Sequence, residues 1–143
     1  MADGRSGLER MQARLREGGG AGLMALLEAA LVTVEPGCTV FQARPGARIF
    51  NMGGTAHGGY ISALLDSAMG CAALTAVSAG RSVVTIELKV AFHRPVTAAN
   101  GLVSATGTVL SAGQRVVFTE GKLTDESGKL LASGTSSLAV VAR

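Results

Sequence analysis

Between Arg48 and Arg81 of this 143-residue chain, the acidic and basic side chains are His57 and Asp66 alone. Asp66 lies midway along a run of helix formers at residues 60–77 that is apolar on nearly every face, with Ile61, Leu64, Leu65, Ala68, Met69, Ala72, Ala73, Ala76 and Val77. An unpaired carboxylate buried there costs several kcal/mol as an order of magnitude, so it must be paired or used. One reading is a structural Asp that caps a loop or pairs with a basic residue. The other is chemical: Gly59, Ser62, Asp66, Gly70 and Ala73 recur at spacings of three and four, a stripe of small or polar residues that leaves room for a ligand beside the carboxylate.

His57-Gly58-Gly59 opens that helix. Backbone N–H groups at a helix start have no intrahelical partner and sit at its positive end, where an anion or a developing oxyanion is favoured. A sterically required turn would use the same glycines. Joined to an acid eight residues on, the segment supplies the two parts that acyl transfer to water requires: a Gly58 N–H to hold an electrophilic carbonyl, and the Asp66 carboxylate as nucleophile or base.

The elements that must position these residues follow from periodicity. Leu8, Met11 and Leu15 mark an amphipathic helix over residues 8–17 that ends at Gly18-Gly19-Gly20. A short helix at 23–29 leads into strands at 31–34 and 39–42, joined by the turn Glu35-Pro36-Gly37. A loop at 51–56 precedes the central helix, which at 1.5 Å per residue is roughly 27 Å long and must be wrapped by the rest of the chain. From Arg81 the period becomes two: Val84, Ile86, Leu88, Val90 and Phe92 are expected on one face of a strand that stops at Arg94-Pro95. Strands at 101–110, 115–124 and 130–141 follow, separated by good hairpin connections. The pattern predicts an α+β fold, a curved antiparallel sheet around one long helix, with residues 1–22 as a helical extension of a single domain at 23–143.

Composition narrows the function. With 48% apolar and 16% charged residues, the bulk of the chain is not disordered, and its length suits one domain. Thirteen Lys and Arg against ten Asp and Glu give a net charge of +3, scattered and without stacking aromatics, so no nucleic-acid partner is expected. Cys38 and Cys71 have no metal-ligand spacing or disulfide framework and are expected as buried thiols; no metal or other cofactor is implied. Glu28 interrupts the apolar stretch at 21–34, which argues against a secretion leader, and the polar residues within 49–80 argue against a membrane span. A cytoplasmic location is the expectation.

Asn51-x5-His57-Gly58-Gly59-x6-Asp66, followed by the strand from Ser82 to Pro95, resembles the hotdog-fold acyl-CoA thioesterases of the phenylacetic-acid-degradation type. The likeness covers residues 31–141, most of the chain. It implies a homodimer with a continuous sheet, commonly paired again into a dimer of dimers, with active sites between protomers. Position by position, it implies that Gly58 donates its N–H to the thioester carbonyl, while Asp66 of the facing protomer attacks or activates water. Asn51 would orient the thioester or the water, His57 would position, and Thr85 would hold the water. Gly59, Ser62 and Arg94 would meet the substrate. Gly70 stands where one bacterial branch of the superfamily, the 4-hydroxybenzoyl-CoA thioesterases, carries a helix hydroxyl, so that arrangement does not transfer. Arg81, Lys89, Arg115 and Lys122 are further candidates for the pantetheine and nucleotide end, and a solvated surface explains each as well.

The resemblance implies hydrolysis of an aryl-acetyl, aroyl or medium-chain acyl-CoA without a cofactor. Two other classes use the same fold. A hydratase or dehydratase needs a histidine working with an acid, and His57 and His93 are the only histidines. A non-catalytic acyl-CoA-binding module has no need for a carboxylate beside the carbonyl, which makes Asp66 the discriminator.

Overall fold

Ser6 and Glu9 cap each other: Ser6 Oγ accepts from the Glu9 N–H at 3.3 Å, and Glu9 Oε2 accepts from the Ser6 N–H at 2.7 Å. This reciprocal cap starts α1 (Gly7–Arg16), which buries Met11 and Ala13. The computed structural model describes residues 4–143; residues 1–3 of the predicted N-terminal extension lie outside the described residues. A second helix, α2 (Gly22–Leu26), is shorter than the predicted 23–29, because Glu28 adopts φ 54° and turns the chain into the first strand.

The strands are β1 (Ala30–Glu35), β2 (Cys38–Ala43), β3 (Arg81–Phe92), β4 (Val103–Ala112), β5 (Val116–Asp125) and β6 (Leu130–Ala142), with the helix α3 (Gly58–Thr75) between β2 and β3. All pairings are antiparallel, in the order β1-β2-β4-β5-β6-β3. This is the predicted architecture, a hotdog fold whose sheet wraps one long helix. Leu64, Leu65, Ala68, Met69 and Ala72 are essentially inaccessible between α3 and the sheet.

A row across the sheet lets α3 settle so closely. Thr39, Gly107, Gly121 and Gly134 are register neighbours on β2, β4, β5 and β6. Thr39 Oγ1 donates to the Ala68 carbonyl at 2.7 Å. A Cβ on Gly107 would collide with that same carbonyl, and one on Gly121 would lie 3.1 Å from Met69 Cγ. The absent side chains therefore set the helix-to-sheet distance under the middle of α3.

One expectation about β3 is corrected. Its register with β6 runs Thr85↔Leu138 and then Glu87↔Ser137, so Ile86 is an extra, unpaired residue. This bulge reverses the strand's parity. Val83 and Thr85 turn inward before it and Leu88 and Val90 after it, whereas Val84 and Ile86 are 56% and 61% exposed. Phe92 keeps the parity of Leu88 and Val90 and is exposed at the strand's end, so the five residues expected on one face are split: Val84 and Ile86 emerge on the other side. Both cysteines are free and half-buried rather than buried.

Candidate active site

α3 begins two residues earlier than its apolar run because His57 caps it. With φ −60° and ψ 136°, His57 precedes the first helical residue, and its Nδ1 accepts the Gly59 N–H at 2.8 Å. That bond needs the Nδ1 lone pair, so the ring proton of the neutral imidazole sits on Nε2. His57 thereby acts on the helix start rather than as a base at Nδ1. The Gly58 N–H has no hydrogen-bond partner among the described residues. It is a bare donor at the positive end of an 18-residue helix.

That donor opens on a cleft of about 430 Å³ lined by Asn51, Thr55, Gly58, Phe92, His93 and Arg94, among others. Backbone bonds fix its walls: the Ala56 N–H donates to the Val96 carbonyl at 2.7 Å, and the His57 N–H to the Ile49 carbonyl at 2.9 Å. The Phe92 ring covers the helix start, and a Cβ on Gly58 would lie 3.2 Å from its Cζ. Glycine at 58 thus admits both the ring and a ligand. The sequence places Phe92 only on one face of its strand; its aromatic type just ahead of His93-Arg94-Pro95 is the available signal for a cleft wall.

The cleft brings together Asn51, Gly58 and Arg94 of the predicted site. Asn51 spends its side chain on the loop: Oδ1 accepts from the Gly53 N–H at 2.9 Å and the Thr55 N–H at 3.3 Å, while Nδ2 donates to Thr55 Oγ1 at 3.1 Å. Ser62 Oγ donates back to the Gly58 carbonyl at 2.8 Å, so its hydroxyl too is committed. Gly59 and Arg94 are exposed. His93 Nε2 pairs with Ser133 Oγ at 2.8 Å.

Asp66 and Thr85 form a second group. Asp66 is half-buried on the open side of α3, and its Oδ1 accepts from Thr85 Oγ1 at 2.8 Å. Asp66 does not line the cleft. Eight residues of helix separate it from Gly58, about 12 Å along the axis, so within one chain the two cannot touch the same carbonyl. Its charge is felt by Cys71, whose thiol is pushed up to about 11, first by burial and then by Asp66. Behind the helix start, burial and then Glu28 push the Tyr60 hydroxyl up to about 12, which keeps it neutral. Among the described residues no cluster of three His, Cys, Asp or Glu could hold a metal ion, and no helix is long and apolar enough to cross a membrane.

The family model described as Thioesterase superfamily matches residues 53–132, the stretch from the loop before α3 into β6. A protein of Saccharolobus solfataricus assigned as an esterase is 32% identical over 115 residues, covering 80% of each chain. Among solved structures, the E. coli PaaI protein from the phenylacetic acid degradation operon superposes with a TM-score of 0.83 at 19% identity, covering 95% of this chain and 94% of that one. A Streptococcus mutans protein solved bound to acetyl CoA gives a TM-score of 0.73 at 21% identity, covering 80% and 90%. At these identities the two structures establish the fold.

Proposed function

We propose that this chain, which belongs to the thioesterase superfamily, hydrolyses an acyl-CoA thioester to the free acid and coenzyme A, with an aryl-acetyl, aroyl or medium-chain acyl group. The observation that carries the reading is the unpartnered Gly58 N–H at the head of α3, open to the cleft. A backbone donor placed there costs no reorganisation when the carbonyl oxygen becomes an oxyanion. The helix dipole adds to its effect.

Asp66 supplies the second half. Thr85 holds Oδ1, which leaves Oδ2 to attack the carbonyl carbon or to take a proton from a water that attacks it. In either course the carbon–sulfur bond breaks, the sulfur leaves as a thiolate that takes up a proton, and one water is consumed. The acetyl CoA bound to the Streptococcus mutans relative is in keeping with a coenzyme A thioester.

On this reading the 12 Å between Gly58 and Asp66 is met by two copies, each lending one residue to a site. β3 is an edge strand, and the bulge leaves Val84 and Ile86 exposed on it. An apolar edge of this kind favours pairing with a second copy. Two edges joined about a two-fold axis would lay the α3 helices side by side and antiparallel, with Gly58 of one copy against Asp66 of the other. A dimer of such dimers and a cytoplasmic location are part of the same proposal.

The test is thiol release from phenylacetyl-, benzoyl- and hexanoyl-CoA by the wild type and Asp66→Asn. Asn keeps the acceptor for Thr85 and removes the carboxylate. A loss of at least about a hundredfold is expected. Inactivity of the wild type on every substrate, or full activity of the variant, would refute the reading.

A further inference from the structure

A second groove at the head of α3, about 330 Å³, shares no lining residue with the Gly58 cleft. Its walls include Leu27, Glu28, Arg44, Arg48, Ile49 and Tyr60. Tyr60 is only 6% exposed, and its hydroxyl has no hydrogen-bond partner among the described residues. No fully enclosed side-chain nitrogen or oxygen among those residues lacks a partner, so this hydroxyl must reach open space, and the groove is the space that Tyr60 lines. Buried phenols ordinarily find a partner within the protein. This one is held out to a partner from outside.

The groove's charges say what that partner is. Two guanidinium groups face the one carboxylate of Glu28, a net charge of +1 for the lining. Arg48 Nη1 lies 3.4 Å from Glu28 Oε1 and Arg44 Nη2 lies 3.8 Å from Glu126 Oε1, all four side chains being largely exposed. Ion pairs this long and this wet hold their arginines weakly, so both can turn to a better-placed anion. A guanidinium fork matches a carboxylate, and the Tyr60 hydroxyl adds a further donor. Leu27 and Ile49, both half-buried, set apolar surface among these donors. Such walls suit an anionic head on an apolar body.

We infer that this groove binds a small monocarboxylate with an apolar body, at a site apart from the catalytic cleft. The chemical class is read from the groove alone; that the occupant is the acid released by hydrolysis rests on the function proposed above. Phenylacetate, benzoate and hexanoate each have both parts. The groove reaches the catalytic machinery through one bond: Ile49 is part of its wall, and the Ile49 carbonyl accepts the His57 N–H at 2.9 Å. An occupant that moves Ile49 therefore moves the residue that caps α3, and with it the Gly58 donor. Acid bound here acts on kcat, and saturating acyl-CoA does not relieve the effect. Acid bound in the cleft itself would compete with substrate and raise KM alone.

Calorimetric titration with phenylacetate, benzoate and hexanoate tests the site without turnover. The wild type is expected to bind at least one of them, Tyr60→Phe about fivefold more weakly and Arg48→Glu about tenfold more weakly. Tyr60→Phe removes one oxygen and keeps the buried ring, so the fold is preserved. Arg16→Glu, at an exposed arginine outside the lining, is expected to bind as the wild type does. Inorganic phosphate and 2-phenylethanol, each with only one of the two parts, are expected to bind about tenfold or more weakly than phenylacetate. Binding of none of the acids, or binding that either Tyr60→Phe or Arg48→Glu leaves unchanged, would overturn the inference, as would phosphate bound as tightly as the acids. Steady-state kinetics then reads the link to the helix start: the bound acid is expected to change kcat at saturating acyl-CoA, and Tyr60→Phe to lose that change. Tyr60-dependent binding in a protein that hydrolyses no thioester would leave the groove standing and remove the thioesterase reading. Hydrolysis with no Tyr60-dependent binding would do the reverse.

Discussion

Thr85 Oγ1 donates a hydrogen bond to Asp66 Oδ1 at 2.8 Å, tying β3 to the one carboxylate on α3. The bond depends on the unpaired Ile86 beside it, which turns Thr85 inward while keeping Leu88 and Val90 in the core further along the same strand. Thr85 thus fixes one carboxylate oxygen and leaves the other for chemistry.

Replacing Thr85 with Val removes the donor and keeps the shape. A hydrogen bond to a charged group contributes about 1.5–3 kcal/mol, so kcat is expected to fall about tenfold or more. KM should move less than about twofold if Thr85 acts through Asp66, whose Oδ1 takes its hydroxyl. Thr85→Ser should restore most of the loss. Steady-state kinetics on the best acyl-CoA decides it, and an unchanged kcat in Thr85→Val would sever Thr85 from the reaction.

Gly58→Pro isolates the backbone donor. Proline is well accommodated at the first helical position, and the ψ of 136° at His57 already lies where a residue before proline must be. The substitution therefore deletes the N–H and adds, as alanine does, a Cβ 3.2 Å from the Phe92 ring, so Gly58→Ala is its steric control. Tm is expected within a few degrees of wild type, with kcat down about 10²–10³, the usual effect of losing one oxyanion donor. Gly58→Ala keeps the N–H but sets a methyl 3.2 Å from the Phe92 ring, and its loss should be smaller. Retained activity in Gly58→Pro would exclude the backbone donor.

What was legible in the sequence was local. The Gly-Gly helix start, the lone mid-helix Asp66 and the period-two strands each announce themselves within a few residues, and together they carried the fold and the two chemical groups. What was hidden is set by pairing between distant strands. The side on which Val84 and Ile86 emerge depends on the extra residue against β6, which no periodicity of β3 reveals. Thr85 meets Asp66 only because of that bulge. Glu28 ends α2 through a backbone conformation that its residue type disfavours.

Gly107, Gly121 and Gly134 look unrelated along the chain, yet they align once the strands pair. Their substitution should separate rigid from yielding neighbours. At Gly107 an added methyl meets the Ala68 backbone, so α3 itself must move, and a loss of about 3 kcal/mol or more is expected. At Gly121 the neighbours are the flexible ends of Met69 and Leu65, and about 1 kcal/mol is expected. Urea unfolding of Gly107→Ala and Gly121→Ala measures both, and equal losses would contradict the tight approach at Ala68.

Cys71 gives the pH dependence a sign. Burial, then the Asp66 charge, raise its thiol from about 9 to about 11, so the folded state holds the proton more tightly than the unfolded chain. The associated stability is complete below about pH 9 and is lost as pH climbs towards 11. Tm should decline across that window, and less steeply in Cys71→Ala. At pH 8 the thiol should also alkylate about a hundredfold more slowly than an ordinary free thiol. Fast labelling of Cys71 in the native protein would contradict the raised thiol.

The spacing of Gly58 and Asp66 makes a quantitative demand on the assembly. If each site takes its N–H from one copy and its carboxylate from the other, Gly58→Pro and Asp66→Asn damage different halves. A mixed dimer then holds one site with both faults and one site with neither. Unfolding the two inactive variants together and refolding them at equal concentration produces mixed dimers as half of all dimers, so about a quarter of wild-type activity should return. Refolding either variant alone should return none. A mixture as inactive as its components, with mixed dimers demonstrated by differently tagged chains, would place both residues at one site within a single chain, which the 12 Å of intervening helix opposes.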